Sequence, residues 1–221
     1  MDVTRKHILQ TFDDIEPTDH VNRVRFYEKH TSIIFTLDEY EQYYFSWQYI
    51  NSLFELGKNE SVLAEVDPVI EYVFMNEANF GGLSTFEDLL FKKASSHFHI
   101  LEYPEAIAIT EQLVGIDPDN ALYQLLAMRA HRALFNWRST AVRLTALMLI
   151  FSSSIVSAIF WLMTSSGQQS SLWLTFLVVV SPCLLALGIL GGAYGWSYLR
   201  SIRLVKQLVQ KKKAKSLGGI S

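Results

Sequence analysis

Two long stretches without a charged residue constrain this chain more than any other feature of its sequence. Residues 144–164 form 21 consecutive uncharged positions, and residues 172–199 form a further 28. About 20 apolar residues are enough to cross the hydrocarbon core of a bilayer as a helix. Two buried helices of a soluble protein would need a large surrounding shell, which a chain of 221 residues does not provide. The sequence therefore predicts an integral membrane protein with a two-helix transmembrane hairpin, whose spans cover about 144–164 and 172–196.

The flanking residues predict the orientation of this hairpin. The linker between the spans, residues 165–171, is short, polar and uncharged, whereas arginines and lysines lie before the first span and after the second. Cytoplasmic flanks of membrane helices are rich in Lys and Arg, and Trp and Tyr mark the interfaces. Trp161 and Trp173 fit the outer interface, and Trp137 and Trp196 the inner one. We expect an inner- or plasma-membrane type protein with both termini in the cytoplasm.

Small residues recur at four-residue spacing in both predicted spans. They are Gly188, Gly191, Gly192 and Gly195 in the second span, and Ser153 and Ser157 in the first. This spacing lets helix backbones approach closely in lipid. We interpret these residues as the packing face between the two spans, and a seam between copies of the chain stays open as a further use. Neither span contains an ionisable side chain other than the thiol of Cys183, which argues against an ion relay.

Charge divides the chain into three predicted parts: a cytoplasmic domain at 1–136, the hairpin at 137–200 and a basic helix and tail at 201–221. Residues 1–136 hold ten Lys and Arg against 22 Asp and Glu, a net charge of −12, and the rest of the chain holds nine basic residues and no acid. An acidic domain argues against nucleic acid as a partner. One cysteine excludes an internal disulfide framework and a cysteine-based zinc cluster.

Capping signals predict an all-α cytoplasmic domain. Thr36 and Glu39 have the spacing of a capping box that opens a helix ending at Gly57, and Ser84 and Glu87 repeat that spacing later. Further signals are a cap at Asp19, a helix over 60–75 interrupted at Pro68, Pro104 in a first turn, and a turn at 117–120 before another helix. The chain from 120 to 164 has no breaker, which predicts one continuous helix into the first span.

Six residues recur at the spacing of a repeated helix pair: Leu90, Ala94, His97, Tyr103, Ala106 and Pro118. On these residues, the segment 103–127 resembles the second helix and closing turn of a tetratricopeptide repeat, and the first three fall at the spacing of the helix before it. The sequence departs from the family pattern at Leu101, where a glycine is usual, and at Thr110 and Leu113. A degenerate second unit places Gly57 where Leu101 stands, so the resemblance covers about 37–135. It implies stacked helix pairs that bind a protein or peptide.

The last segment of the chain has apolar residues at helical spacing. They are Leu199, Ile202, Val205, Leu208 and Val209. We predict that this helix packs antiparallel on the helix before the first span. The predicted contact residues there are Leu122, Leu125, Leu126, Ala133 and Leu134. Packed in this way, the helix would cap the repeat stack.

No pattern in the sequence indicates an enzyme or a cofactor. Phosphate-loop, zinc-protease and nucleophile-elbow motifs are absent. His97 and His99 are two apart and would point to different faces of a helix, so we expect one packed and one solvated histidine and no metal site. The helix after 38 is rich in aromatic residues, which are mostly core but are also common anchors of binding grooves. The candidate partner-binding residues are Tyr40, Tyr43, Tyr44 and Trp47.

These observations predict a membrane-anchored adaptor or scaffold that binds a protein partner through its cytoplasmic domain. The partner would be a protein with a basic or helical segment, or another copy of the chain as a homo-oligomer. Two alternatives stay open at this stage. One is an oligomeric membrane effector that forms pores or perturbs the bilayer, and the other is an accessory subunit of a larger membrane complex.

The hairpin predicts a specific topology. A reporter inserted at Gln168 should lie outside the cytoplasm, while reporters at Met1 and Ser221 should lie inside. Accessibility labelling of intact cells or sealed vesicles measures all three positions. Termini on opposite sides of the membrane would contradict the hairpin.

Overall fold

The computed structural model describes residues 2–80, 84–138 and 198–214, together with isolated helical positions in the predicted spans, which are 144, 147–148, 151–152, 154–155, 158, 184, 188, 191–192 and 195–196. Seven helices come first: α1 (Asp2–Asp13), α2 (His20–Ile34), α3 (Glu39–Glu55), α4 (Asn59–Asn76), α5 (Thr85–His99), α6 (Tyr103–Ile116) and α7 (Ala121–Arg138). Residues 198–214 form a further, C-terminal helix. These ranges contain no strand, so the prediction of an all-α chain is confirmed for them.

Neighbouring helices pack in sequence order, as α2 with α3, α3 with α4, α4 with α5, and α5 with α6. Alternate helices also touch. The rings of Phe12 in α1 and Phe45 in α3 lie 5.1 Å apart, and the hydroxyl of Tyr123 in α7 donates to Glu87 in α5 at 3.0 Å. Burial and this hydrogen bond raise the pKa of Tyr123 to about 12. The packing of these helices is therefore repeat-like, with contacts between consecutive helices and, for α1 with α3 and α5 with α7, contacts that skip one helix.

Helix α4 shows why the sequence folds as stacked helices. Its buried residues follow helical spacing and form one stripe, Val62, Val66, Val69 and Val73. They join residues of α2, α3 and α5 in one hydrophobic cluster. Pro68 lies inside α4, so the predicted interruption there is wrong. Burial of the valine stripe outweighs the roughly 3 kcal/mol that an internal proline costs.

The turns at Gly57 and Leu101 have the same backbone conformation. Gly57 has φ 70° and Leu101 has φ 69°. In both turns the N–H of the left-handed residue donates to the carbonyl three residues before it. The N–H of the next residue donates to the carbonyl five residues before it, as Lys58 does to Leu53 at 2.9 Å. This is the Schellman arrangement that ends a helix. Leu101 adopts it at a cost of about 1–2 kcal/mol, since its Cβ disfavours the left-handed conformation.

The predicted capping boxes are only partly correct. Helix α3 is capped by Asp38, whose carboxylate accepts the N–H of Glu41 at 2.9 Å, so the box at Thr36 and Glu39 is wrong. The Thr36 hydroxyl instead donates to the carbonyl of Ile33. The caps at Asp19 and Ser84 are confirmed.

The chain divides into two units, Met1–Ala130 with Lys211–Ser221, and His131–Gln210. In the first unit, Lys213 forms an ion pair with Asp119. A Cβ added at Gly115 would lie 2.9 Å from the Lys212 ammonium nitrogen, which therefore sits at the C-terminal end of α6. Cations are favoured there because the last carbonyls of a helix carry partial negative charge.

In the second unit, two cation–π contacts join the end of α7 to the C-terminal helix. The guanidinium of Arg132 lies 5.5 Å from the ring centre of Tyr198, and that of Arg200 lies 4.7 Å from the ring centre of Phe135. These contacts agree with the predicted association of the C-terminal helix with α7.

The predicted contact residues on α7 need correction. Leu122 and Leu125 are 61% and 40% exposed. The buried residues of this helix are Tyr123, Leu126, Ala127 and Ala130. Among the other predicted residues, Leu126 is buried, and Ala133 and Leu134 are half-buried. Tyr123, which was not predicted to be buried, donates to Glu87 of α5. Among the predicted residues of the C-terminal helix, Val205 is buried, whereas Leu199 is 51% exposed.

Most of the predicted hairpin lies outside the described residues. The isolated positions described within 144–164 and 172–196 are helical. Among the residues that the structure describes, no helix combines the length and the apolar character needed to cross a bilayer.

The left-handed turn at Leu101 and a regular position in α7 predict opposite effects of glycine. Leu101 is 61% exposed, so Leu101→Gly loses little packing and removes the strain of the turn. We expect the free energy of unfolding to rise by about 1 kcal/mol, part of the relief being offset by the greater freedom of glycine in the unfolded chain. Chemical unfolding of the full chain in mild detergent measures the change. In the matched control Leu125→Gly, a leucine that is 40% exposed lies within the regular part of α7, and stability should fall by about 1 kcal/mol or more. A fall with both variants would contradict the strain at Leu101.

Candidate partner-binding site on helix α3

Helix α3 presents the four predicted binding aromatics on one face. Because Asp38 caps the helix, it begins at Glu39 and runs without a break to Glu55. Positions 40, 43, 44 and 47 have the i, i+3, i+4 and i+7 spacing of a single helical stripe. The structure brings Tyr40, Tyr43, Tyr44 and Trp47 together, and it adds two rings that the sequence did not indicate.

The first of these rings is Phe80, in the turn that follows α4. Its ring centre lies 5.1 Å from that of Tyr40, 6.0 Å from Tyr44 and 5.9 Å from Trp47. The second is Tyr72 of α4, which stacks on Tyr43 with centroids 3.9 Å apart and planes at 12°. Such offset and tilted ring pairs add to the stabilisation from burial. The chain therefore fills part of its own aromatic stripe with Phe80 and Tyr72.

The turn is held in place from α5. The backbone N–H of Phe80 donates to the hydroxyl of Thr85 at 2.9 Å, and that hydroxyl donates to the side-chain oxygen of Asn79 at 2.9 Å. Thr85 is itself buried, at 3% exposure. The signal for Phe80 in the sequence is slight, namely one aromatic residue directly before two glycines in the segment between α4 and α5.

An open cleft of about 690 Å³ lies beside Tyr40 and Tyr44. Residues of α1 and of the start of α3 line it: Arg5, Leu9, Asp38, Glu39, Tyr40, Glu41 and Tyr44. Tyr40 is 51% exposed. Thus two of the four predicted residues, Tyr40 and Tyr44, line a surface that a partner can reach, while Tyr43 and Trp47 pack against the hydrophobic core.

Arg5 links the acidic groups of this cleft to α1. Its Nε donates to Oε1 of Glu41 at 2.8 Å, and its Nη2 donates to Oδ2 of Asp38 at 2.6 Å. Asp38 therefore has two roles, since one carboxylate oxygen caps α3 and the other binds Arg5. The start of α3 and the cleft wall depend on the same side chain.

Other aromatic residues of α3 serve the core. Tyr49 stacks on Tyr27 of α2 with ring centres 4.2 Å apart, and its hydroxyl donates to Glu28 at 3.3 Å. Burial and the neighbouring Glu28 carboxylate raise the pKa of Tyr49 to about 12. This pair lies away from the cleft and fastens α3 to α2.

The remaining predicted site residues do not join this site. His97 is half-buried and bonds Glu102 through Nδ1 at 2.7 Å, and His99 is exposed, as expected for the pair. Within the described ranges, no group of three His, Cys, Asp or Glu side chains could hold a metal. Gly188, Gly191, Gly192 and Gly195 are helical and exposed, and a Cβ added at any of them would meet no described atom within 4 Å. Ser153 and Ser157 lie outside the described residues.

Comparison with known proteins gives no match to a family model, to a curated protein or to a solved structure.

The contacts of Phe80 predict its contribution to the stability of the site. Phe80→Ala should lower the free energy of unfolding by about 1–3 kcal/mol, less than the loss at a fully buried phenylalanine because Phe80 is half-buried. Thermal unfolding of the full chain in mild detergent, followed by near-ultraviolet circular dichroism, measures the loss. Phe74→Ala is the matched control, because Phe74 is 65% exposed and should cost less. Equal losses for the two variants would show that Phe80 does not support the aromatic cluster.

Proposed function

We propose that this protein is a membrane-anchored adaptor whose cytoplasmic helical domain binds a protein partner at the exposed end of α3. The observation that carries the proposal is the open cleft beside Tyr40, an aromatic side chain that is half-exposed on an otherwise well-packed helix. Aromatic residues in such positions are common anchors of protein interfaces.

A tetratricopeptide-like repeat is the architecture that we propose for the domain. The small residues expected at helix contacts, Ala94 and Ala106, are both fully buried, and α5 packs against α6. The matching turns at Gly57 and Leu101 support two units of the same plan. Stacked helix pairs expose side chains of successive helices on one surface, which suits the binding of a segment of another protein.

The two charge-free stretches are the basis for the proposed anchor. A hairpin at about 144–164 and 172–196 would place both ends of the chain on the cytoplasmic side, as its flanking Arg and Lys indicate. The contacts of Arg132 with Tyr198 and of Arg200 with Phe135 would join the two cytoplasmic ends of the hairpin. Anchoring the domain at the bilayer would hold a bound partner at the membrane. It would also raise the effective concentration of that partner for other groups at the membrane, without any new contact.

Affinity purification from native membranes in mild detergent tests the proposal. The full chain should co-purify with a partner protein in a fixed stoichiometry, and Tyr40→Ser should reduce the recovered partner at least tenfold. Phe74→Ser is the matched control, since it removes a similarly exposed aromatic residue of the neighbouring helix, and recovery should be unchanged.

Two outcomes would contradict the adaptor. One is a partner recovered equally with Tyr40→Ser and with the unmodified chain, which would move the binding surface away from α3. The other is a chain that purifies only with itself and releases dye from lipid vesicles, which would make it a membrane effector.

A further inference from the structure

The cleft beside Tyr40 has an excess of negative charge. Asp38, Glu39 and Glu41 supply three carboxylates to its wall, and Arg5 supplies one guanidinium, which leaves a charge of −2. Glu39 is exposed in the first turn of α3, and Arg5 and Asp38 are each about half-exposed. A group that enters this cleft therefore meets uncompensated carboxylates at short range, where an opposite charge is favoured.

Glu41 is the most informative of these residues because it is nine-tenths buried, with 9% exposure. Arg5 bonds only one of its oxygens, Oε1. The other oxygen, Oε2, is buried and accepts no hydrogen bond from the part of the chain that the structure describes. A buried carboxylate oxygen without a donor is unfavourable, and a donor that also carries positive charge compensates it best.

The apolar part of the cleft suits the stem of a long basic side chain. Tyr40 and Tyr44 contribute aromatic rings and Leu9 an aliphatic group. Lysine and arginine bury their methylene stems along such surfaces while their charged ends stay at polar groups. A cation near a tyrosine ring gains a further attraction to the ring face.

We propose that this cleft binds an arginine or lysine side chain of the protein partner, an inference that rests on the proposed adaptor function. The stem lies along Tyr40 and Tyr44, and the charged end meets Glu39 and Glu41. The binding segment of the partner is therefore basic, neither acidic nor purely apolar. Pairs within the chain, Lys213 with Asp119 and Lys93 with Asp67, show the same acidic domain binding basic side chains elsewhere on its surface.

A library of random heptapeptides displayed on phage tests the proposal, with the full chain in detergent micelles as the immobilised target. We expect selected peptides to be enriched in Arg or Lys at one fixed position. Synthetic copies of these peptides should bind at least tenfold more weakly to Glu41→Gln, which keeps the shape of the side chain and an acceptor for Arg5. Glu39→Gln should weaken binding two- to fivefold because its carboxylate is exposed.

Matched controls separate the cleft from the general negative charge of the domain. Glu55→Gln removes the same charge from the opposite end of α3 and should change the affinity less than twofold. Because Glu41 is buried, thermal unfolding compares Glu41→Gln with the unmodified chain, so that a loss of affinity is not mistaken for a loss of stability. Glu39→Gln tests the charge of the same cleft at an exposed position.

Three results would overturn the inference. The first is selected peptides that require Tyr40 but show no preference for basic residues, which would leave the adaptor function standing. The second is an equal loss of affinity with Glu39→Gln and Glu55→Gln, which would mean that basic peptides bind the domain without using the cleft. The third is a library from which no peptide is selected, in which case co-purification of a partner with the full chain still decides the adaptor function separately.

Discussion

Burial of helix α3 on two sides is the interaction on which the rest of the first unit depends. Phe45 packs with residues of α1 and α2 in one hydrophobic cluster, while Ile50 and Leu53 pack with α4 and α5 in another. All three are at most 1% exposed. A helix held in this way cannot rotate, so Tyr40 and Tyr44 keep a fixed place at the cleft. Binding groups on a rigid element lose little conformational entropy when a partner arrives, which favours affinity.

The same side chains support the fold and the proposed binding. Asp38 begins α3 and, with Glu41, binds Arg5, so the acidic wall of the cleft is also the link between α1 and α3. Phe80 completes the aromatic stripe from a turn that α5 holds through Thr85. A basic segment docked in the cleft would add to the contacts that already join α1 and α3.

The stripe 40, 43, 44 and 47 could be predicted because it depends only on the helical period, but its surroundings could not. Phe80 and Arg5 are each more than 30 residues from the α3 side chains that they contact, and no local pattern couples them. The same limit explains the cap of α3. Thr36 and Asp38 are both acceptable caps by local rules, and Asp38 is used where its carboxylate also meets Arg5 of α1. At Pro68, burial of the valine stripe outweighs a local helix-breaking signal.

By itself, the sequence determined those features that depend on composition and short spacing. They are the two uncharged stretches, the acidic and basic parts of the chain, the order of the helices from α2 to α7 and the end of a helix at Gly57. The tertiary structure alone decided which face each helix buries, as α7 shows by turning Tyr123 inward and leaving Leu122 exposed. It also decided that, among the described residues, one oxygen of Glu41 has a hydrogen-bond donor and the other has none. The physical reason is that helix formation is governed by neighbours a turn away, whereas burial and hydrogen-bond partners are set by residues that only packing brings together.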